Sequence, residues 1–254
     1  MQIKTRGIIL KQRNIGENDR ILTALTAELG IIEIAARGVK SVRSPLSSPS
    51  QILAYSEFCL FKGKQSYYII DSAETVNTFY SLRLDVAKLA LAVYFCDLAA
   101  YLSPGVESAP ECLRLLLNTL HFLQEERQDA VLLKSIFELR ILSVTGFMPD
   151  LVGCAQCGEF QKEGMTFFPM EGILLCGECL PSSPLGREDA VHNMAPPPVL
   201  AAMRHIIFSE QEKLFSFKLA GNSLKQLSRI TENYALLHTE GRFQSLSMYH
   251  QLEI

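Results

Sequence analysis

The sequence predicts an α+β protein of several domains, and three observations carry that expectation. The first 80 of its 254 residues contain short runs of β-branched and aromatic residues divided by turn signals. From Leu82 onward the apolar positions recur with a helical period. Two Cys-x-x-Cys pairs then interrupt that period between residues 150 and 182. The expected layout is a barrel over 1–80, a helical bundle over 81–149, a metal-binding insertion over 150–182, and helices over 183–254 that complete the helical domain.

In the first segment, Gly7 to Leu10, Arg20 to Thr26, Ile31 to Ala35, Glu57 to Phe61 and Tyr67 to Ile70 read as strands. Turns are expected at Asn14 to Asn18, Gly38 to Ser50 and Lys62 to Ser66. Five short strands in so few residues suit a small closed barrel, which leaves no sheet edge exposed. An SH3-like barrel fits the count nearly as well.

Val86 to Leu102 is apolar almost all round, so it reads as a buried central helix stopped by Ser103-Pro104-Gly105. Glu111 to Leu123 and Ala130 to Thr145 follow as helices, the second ended by Gly146 with Pro149 beyond. After Ala195-Pro-Pro-Pro198, where proline bars any continuing helix, Val199 to Phe208 and Ser223 to Leu237 are helical again.

The cysteine pattern is Cys154-Ala-Gln-Cys157, eighteen residues that begin with Gly158, then Cys176-Gly-Glu-Cys179. Two residues between cysteines let both sulfurs of a pair reach one ion, and the separation of the pairs is that of a zinc ribbon. Gly158 and Gly177 suit the tight turns of such knuckles. A hairpin from Phe167 and Gly172-Ile-Leu-Leu175 would bring the knuckles together. Four thiolates close the coordination shell, so one structural Zn2+ is expected, held by Cys154, Cys157, Cys176 and Cys179. A redox role would need a single pair at a strand-to-helix junction. The remaining Cys59, Cys96 and Cys112 stand alone in apolar surroundings and read as small hydrophobes.

Seven cysteines are an odd number, which disfavours a secreted disulfide framework. The apolar run Ile8 to Leu10 is too short for a signal peptide, and the run near Leu89 to Cys96 is too short for a membrane span. A cytoplasmic protein without membrane contact is expected. No phosphate-binding loop, His-Glu-x-x-His or Gly-x-Ser-x-Gly is present. The histidines (121, 192, 205, 238 and 250) are scattered, and the acidic doublets Glu125-Glu126 and Glu188-Asp189 lie in polar stretches. Catalysis is therefore not expected.

Net charge is −3, but it is unevenly spread: residues 1–80 hold ten Lys/Arg against seven Asp/Glu, the remainder fourteen against twenty. The basic part offers Arg6, Lys11 and Arg13 along the first strand, Arg37, Lys40 and Arg43 around a loop, and Lys62 and Lys64 at a turn before Tyr67. Cations that track phosphates beside an aromatic face are what a single-strand-binding barrel requires. These nine residues are the candidate DNA contacts. Ordinary solubilising loop cations would look the same.

Several of these stretches resemble one family. Thr5-Arg-Gly-Ile-Ile-Leu-Lys11, Gly16-Glu-Asn-Asp-Arg-Ile-Leu22, Thr26-Ala-Glu-Leu-Gly30 and Ala35-Ala-Arg-Gly38 resemble the start of bacterial RecO proteins. Gly146-Phe-Met-Pro-Asp-Leu151 and Phe168-Pro-Met-Glu-Gly-Ile-Leu-Leu-Cys176 resemble their approaches to the two cysteine pairs. The likeness spans most of the chain and is least distinct over 182–254. It implies an amino-terminal OB-fold β-barrel and a carboxy-terminal helical domain with an inserted four-cysteine zinc ribbon. It also implies a non-enzymatic recombination mediator of the RecF pathway. Such a protein binds single- and double-stranded DNA, anneals complementary strands and works with RecR. It helps load RecA on DNA coated by single-strand DNA-binding protein, whose C-terminal tail it engages, and it acts in the cytoplasm at the nucleoid. Some members lack the cysteines. The alternative is a protein-interaction adaptor with incidental DNA contact.

Overall fold

The computed structural model describes residues 2–41, 43–62, 67–102, 105–185, 193–241 and 243–252. Five strands, β1 (Gln2–Ile15), β2 (Asp19–Thr26), β3 (Gly30–Ala36), β4 (Tyr55–Lys62) and β5 (Tyr68–Asn77), close a barrel in the order β1-β2-β3-β5-β4. All neighbours are antiparallel except β3 and β5. This is an OB-like arrangement. One face of each strand fills the interior with Ile9, Leu22, Ile34, Phe58 and Leu60, all fully buried. Each such side chain contributes roughly 1.5–3 kcal/mol by leaving water.

Closure depends on β1, which pairs with β4 through Gln2–Ile8 and with β2 through Gly7–Ile15. A bulge between Ile9 and Lys11 coils the strand between its two partners. At the handover, a Cβ on Gly7 would lie 2.7 Å from the Leu25 carbonyl oxygen, so only glycine lets the backbones approach. The strand also runs through Asn14, where the sequence predicts a turn. Its last residues are exposed without alternation, and Arg20 of β2 holds them by donating to Gln12 and Asn14. β5 likewise continues to Asn77 through the polar stretch Asp71-Ser-Ala-Glu-Thr because β4 supplies its hydrogen bonds.

Ile8, Leu10, Ile21 and Leu25 are buried too, although they face out of the barrel interior. Helix α1 (Val86–Leu102) packs on β1, and α2 (Ala109–Gln124) packs on β2 and β3. α1 begins where the Asp85 carboxylate accepts from the Ala87 and Lys88 amides. Its other face meets α6 (Gln244–Leu252), a short helix that the sequence pattern did not reveal. Phe243, just before α6, stands edge-on to Tyr94 and Tyr101, and Ser245 donates to Asp97 at 2.7 Å.

Helix α3 (Ala130–Val144) is capped by Asp129 and packs against α4 (Pro197–Phe208) and α5 (Gly221–Thr239). Between α3 and α5, Lys134 is 1% exposed and pairs with Glu138 at 3.0 Å and Glu232 at 2.7 Å. Thr231 donates to Glu138 at 2.8 Å. The short hairpin β6 (Thr166–Phe168) and β7 (Ile173–Leu175) belongs to the same half.

The chain accordingly forms two compact units, Met1–Arg127 with Phe243–Ile254, and Gln128–Arg242. This division differs from the boundaries expected at 80, 149 and 182. α1 and α2 carry apolar residues that cover the outer face of the barrel, so they join it instead of forming one bundle with α3. Among the described residues, no helix is long and apolar enough to cross a membrane.

Candidate metal centre and nucleic-acid surface

The sulfurs of Cys154, Cys157, Cys176 and Cys179 all lie within 4.8 Å of one another. Two turns and the hairpin bring them together. The first pair is wound by Gly158 N donating to Cys154 O at 2.8 Å and Cys154 N donating to Glu159 O at 2.9 Å. Gly158 has φ +76°, a conformation that L side chains rarely adopt. The second pair is wound by the Cys179 and Leu180 amides donating to Cys176 O. Gly177 has a different role from Gly158: its N–H donates to Glu163 O, and a Cβ there would press on that oxygen at 3.2 Å. β7 leads directly into Cys176, and Ala155 N donates to Leu174 O at 2.8 Å, which ties the first knuckle to that strand.

The donor set suits a divalent thiophilic cation. A tetrahedral zinc–sulfur site places sulfurs about 3.8 Å apart, and Cys157 Sγ lies 3.9 Å from Cys176 Sγ. Burial raises the Cys154 thiol, but the backbone amides of Cys157, Cys176 and Gln156 outweigh it and bring it down to about 6. The Cys176 amide is 3.4 Å from that sulfur. Amides directed at a sulfur favour the thiolate, the form that binds metal. Near the site, within reach of the charge on Cys157 and Cys176, Lys162 pairs with Glu178 at 2.6 Å. Of the solitary cysteines, Cys96 and Cys112 are buried and Cys59 is half-buried. Burial raises the Cys96 and Cys112 thiols, the latter to about 12, so neither is a thiolate near neutrality.

The candidate DNA contacts divide into two groups. Arg6 pairs with Glu57 at 2.9 Å, Lys11 with Asp97 at 3.3 Å and Arg13 with Glu33 at 3.8 Å. Arg6, Lys11 and Arg13 are themselves exposed, so water screens these pairs and a phosphate can compete for each cation. Arg37 and Arg43 are exposed and have no carboxylate partner among the described residues; the same holds for Lys62 at the end of β4. Lys40 lies between Arg37 and Arg43 and is held by its ammonium donating to Gly16 O at 3.2 Å and its amide to Asn18 O. With Gly38 N donating to Asp19 at 2.8 Å, these bonds set residues 38–40 against the β1–β2 turn. Tyr68 packs on the barrel core, and Tyr67, its neighbour, is half-buried. Lys64 lies outside the described residues, as do His192, Glu188 and Asp189.

His205 and His238 each face a backbone carbonyl, Lys213 O at 3.0 Å and Pro169 O at 3.1 Å. Sequence reasoning passed over the Lys134–Glu138–Glu232 cluster. Its only linear trace is the i, i+4 spacing of Lys134 and Glu138 inside an otherwise apolar helix.

Residues 1–79 match the family model for the recombination protein O N terminal region, and residues 83–247 match that for its C terminal region. The chain belongs to the recombination protein O family. DNA repair proteins RecO are similar to it in sequence. That of Acetivibrio thermocellus is 30% identical over 251 residues, 99% of this chain and 97% of the relative. That of Symbiobacterium thermophilum is 31% identical over 242 residues, 94% and 93% of the two chains. That of Dehalococcoides mccartyi is 35% identical over 177 residues, 69% of each. The resemblance read from the β1–β2 and cysteine motifs is therefore a family relationship, and a role in DNA repair and recombination comes with it.

Proposed function

We propose that this RecO family chain is a non-enzymatic recombination mediator that binds single- and double-stranded DNA and anneals complementary strands. In this reading it acts with RecR to load RecA onto DNA coated by single-strand DNA-binding protein, gripping that protein's C-terminal tail, at the nucleoid in the cytoplasm. The barrel over 1–80 is the DNA-binding part, and one Zn2+ on Cys154, Cys157, Cys176 and Cys179 braces the other unit. With four thiolates the ion has no position for substrate, so its contribution is to hold the fold.

The observation that carries the DNA reading is the 37–43 loop, where Arg37 and Arg43 project without a carboxylate partner among the described residues and Lys40 anchors the loop between them. Unpaired cations bind phosphates without regard to sequence, so two strands can be held close while base pairing supplies the specificity. Strand annealing by wild-type protein and by the Arg37→Glu, Lys40→Glu, Arg43→Glu triple variant tests this. The variant should lose annealing while keeping its thermal transition, and wild-type affinity should fall steeply with salt. Salt-independent binding, or full annealing by the variant, would refute the assignment. The adaptor reading, with its incidental DNA contact, predicts only weak binding of labelled single-stranded DNA and no strand annealing.

A further inference from the structure

One side chain outside the ligand set closes the base of the first cysteine knuckle. Arg204, on α4, donates through Nε to Leu151 O at 2.7 Å, and through Nη2 to Val152 O at 3.1 Å and Phe160 O at 2.5 Å. Leu151 and Val152 are where the chain enters the knuckle that carries Cys154 and Cys157; Phe160 is where it leaves. The guanidinium also lies over the Phe160 ring, 3.7 Å from its centroid. Phe160 is 58% exposed, so the cation is the ring's main anchor on this side.

The segment between these carbonyls has no regular secondary structure, and hydrogen bonds within the loop, such as Cys154 N to Glu159 O, set only its local turn. One backbone bond, Ala155 N to Leu174 O, sets the middle of the loop against β7, but it leaves the two ends of the loop to be held by other groups. A planar fork with several donors in fixed directions can bind the two ends of the loop at once, and stacking then fixes the plane of the fork. Lysine, a single point charge on a flexible stem, cannot do both. Met203 and Ile206 beside Arg204 on α4 are buried, so the helix is a rigid post.

From this geometry we infer that Arg204 is the positioning residue of the metal centre: by tying both ends of the first knuckle to α4 it holds that knuckle's shape, alongside the Ala155–Leu174 bond that sets it against β7, and so controls how tightly the four cysteines hold their ion. The inference rests on the zinc reading above. It assigns to a non-ligand, forty-seven residues beyond Cys157, the control of affinity at a site whose four ligands leave no gap in their shell. Loss of a residue that orients metal ligands typically lowers metal affinity by about 10–100-fold.

The test uses the full chain purified with zinc. Wild type, Arg204→Lys, Arg204→Ala and Phe160→Leu are compared for metal content, for the rate of zinc transfer to a chromogenic chelator, and for the visible spectrum after cobalt substitution. Helical content of each is checked by circular dichroism. Arg204→Ala and Arg204→Lys should both release zinc at least about tenfold faster than wild type, with the tetrahedral cobalt bands weakened or shifted. Phe160→Leu, which keeps the three carbonyl bonds, should fall between them and wild type. A purely structural side chain would lower stability without moving the cobalt bands, and Lys would rescue much of the loss. Unchanged release and spectra in folded Arg204→Ala would overturn the inference. Wild type that holds no zinc would instead overturn the zinc reading. If Arg204→Ala fails to fold, Arg204→Lys and Phe160→Leu decide by the same readings.

Discussion

The charged residues of the two compact units work in opposite ways. On the barrel, Arg6, Lys11 and Arg13 are exposed and each pairs with a single carboxylate, while Arg37 and Arg43 face water. In the other unit Lys134 is buried between two carboxylates, and Arg204 spends its donors on three carbonyls. An exposed cation keeps its hydration and can exchange its partner for a phosphate. A buried one has already lost its water and is committed to its place. The first arrangement suits reversible binding and the second suits holding a shape.

The comparison is broken most severely at Lys134. Replacing it with Met removes the ammonium that the fully buried Glu138 and its neighbour Glu232 share. A loss of about 3–5 kcal/mol is expected, read from urea unfolding of the variant. Burial raises the Glu138 carboxyl despite its cationic neighbour, so its ionised form is already costly in the wild type. A loss below about 1 kcal/mol, as on the surface, would show that the cluster is open to water.

Metal removal is next. Stripping zinc with a chelator should speed amide exchange over residues 150–182 and leave the barrel strands protected. The pH dependence has a definite sign. The Cys154 thiol is lowered from 9.0 to about 6, so its contribution is present above the higher value and is lost as pH falls through the lower one. Protons compete with the metal for all four thiolates, so zinc retained after dialysis should fall as pH is lowered. Equal loosening of both units would contradict a metal effect confined to residues 150–182.

The smallest effect is expected on the barrel. Arg13→Gln removes an exposed pair 3.8 Å long with Glu33, and thermal unfolding should shift by less than about 1 kcal/mol. Its DNA affinity should fall more than its stability, which is the sense of the comparison.

Local patterns were legible where one residue's neighbours in sequence are also its neighbours in space. Val86–Leu102 was readable to the residue because a helix that is apolar all round announces itself. The cysteine pairs were readable because each knuckle is four residues long. β1 beyond Leu10 and β5 beyond Ile70 were not, since their exposed polar residues lack alternation and depend on a partner strand. α6 escaped because nine residues with two buried side chains hardly differ from a loop, until Phe243 and α1 give them something to pack on.

From the linear chain alone came the family, the helical and β-rich halves, the four sulfurs and the pool of candidate cations. Those properties reside in residue type and short spacing. Tertiary structure decided that α1 and α2 belong with the barrel, and that Arg6, Lys11 and Arg13 are paired while Arg37 and Arg43 are not. It also showed that Arg204 closes a knuckle far from it in sequence. Each of these depends on which surfaces meet across dozens of residues, where Coulomb attraction and hydrogen bonding act through space and the order of the chain carries no trace of them.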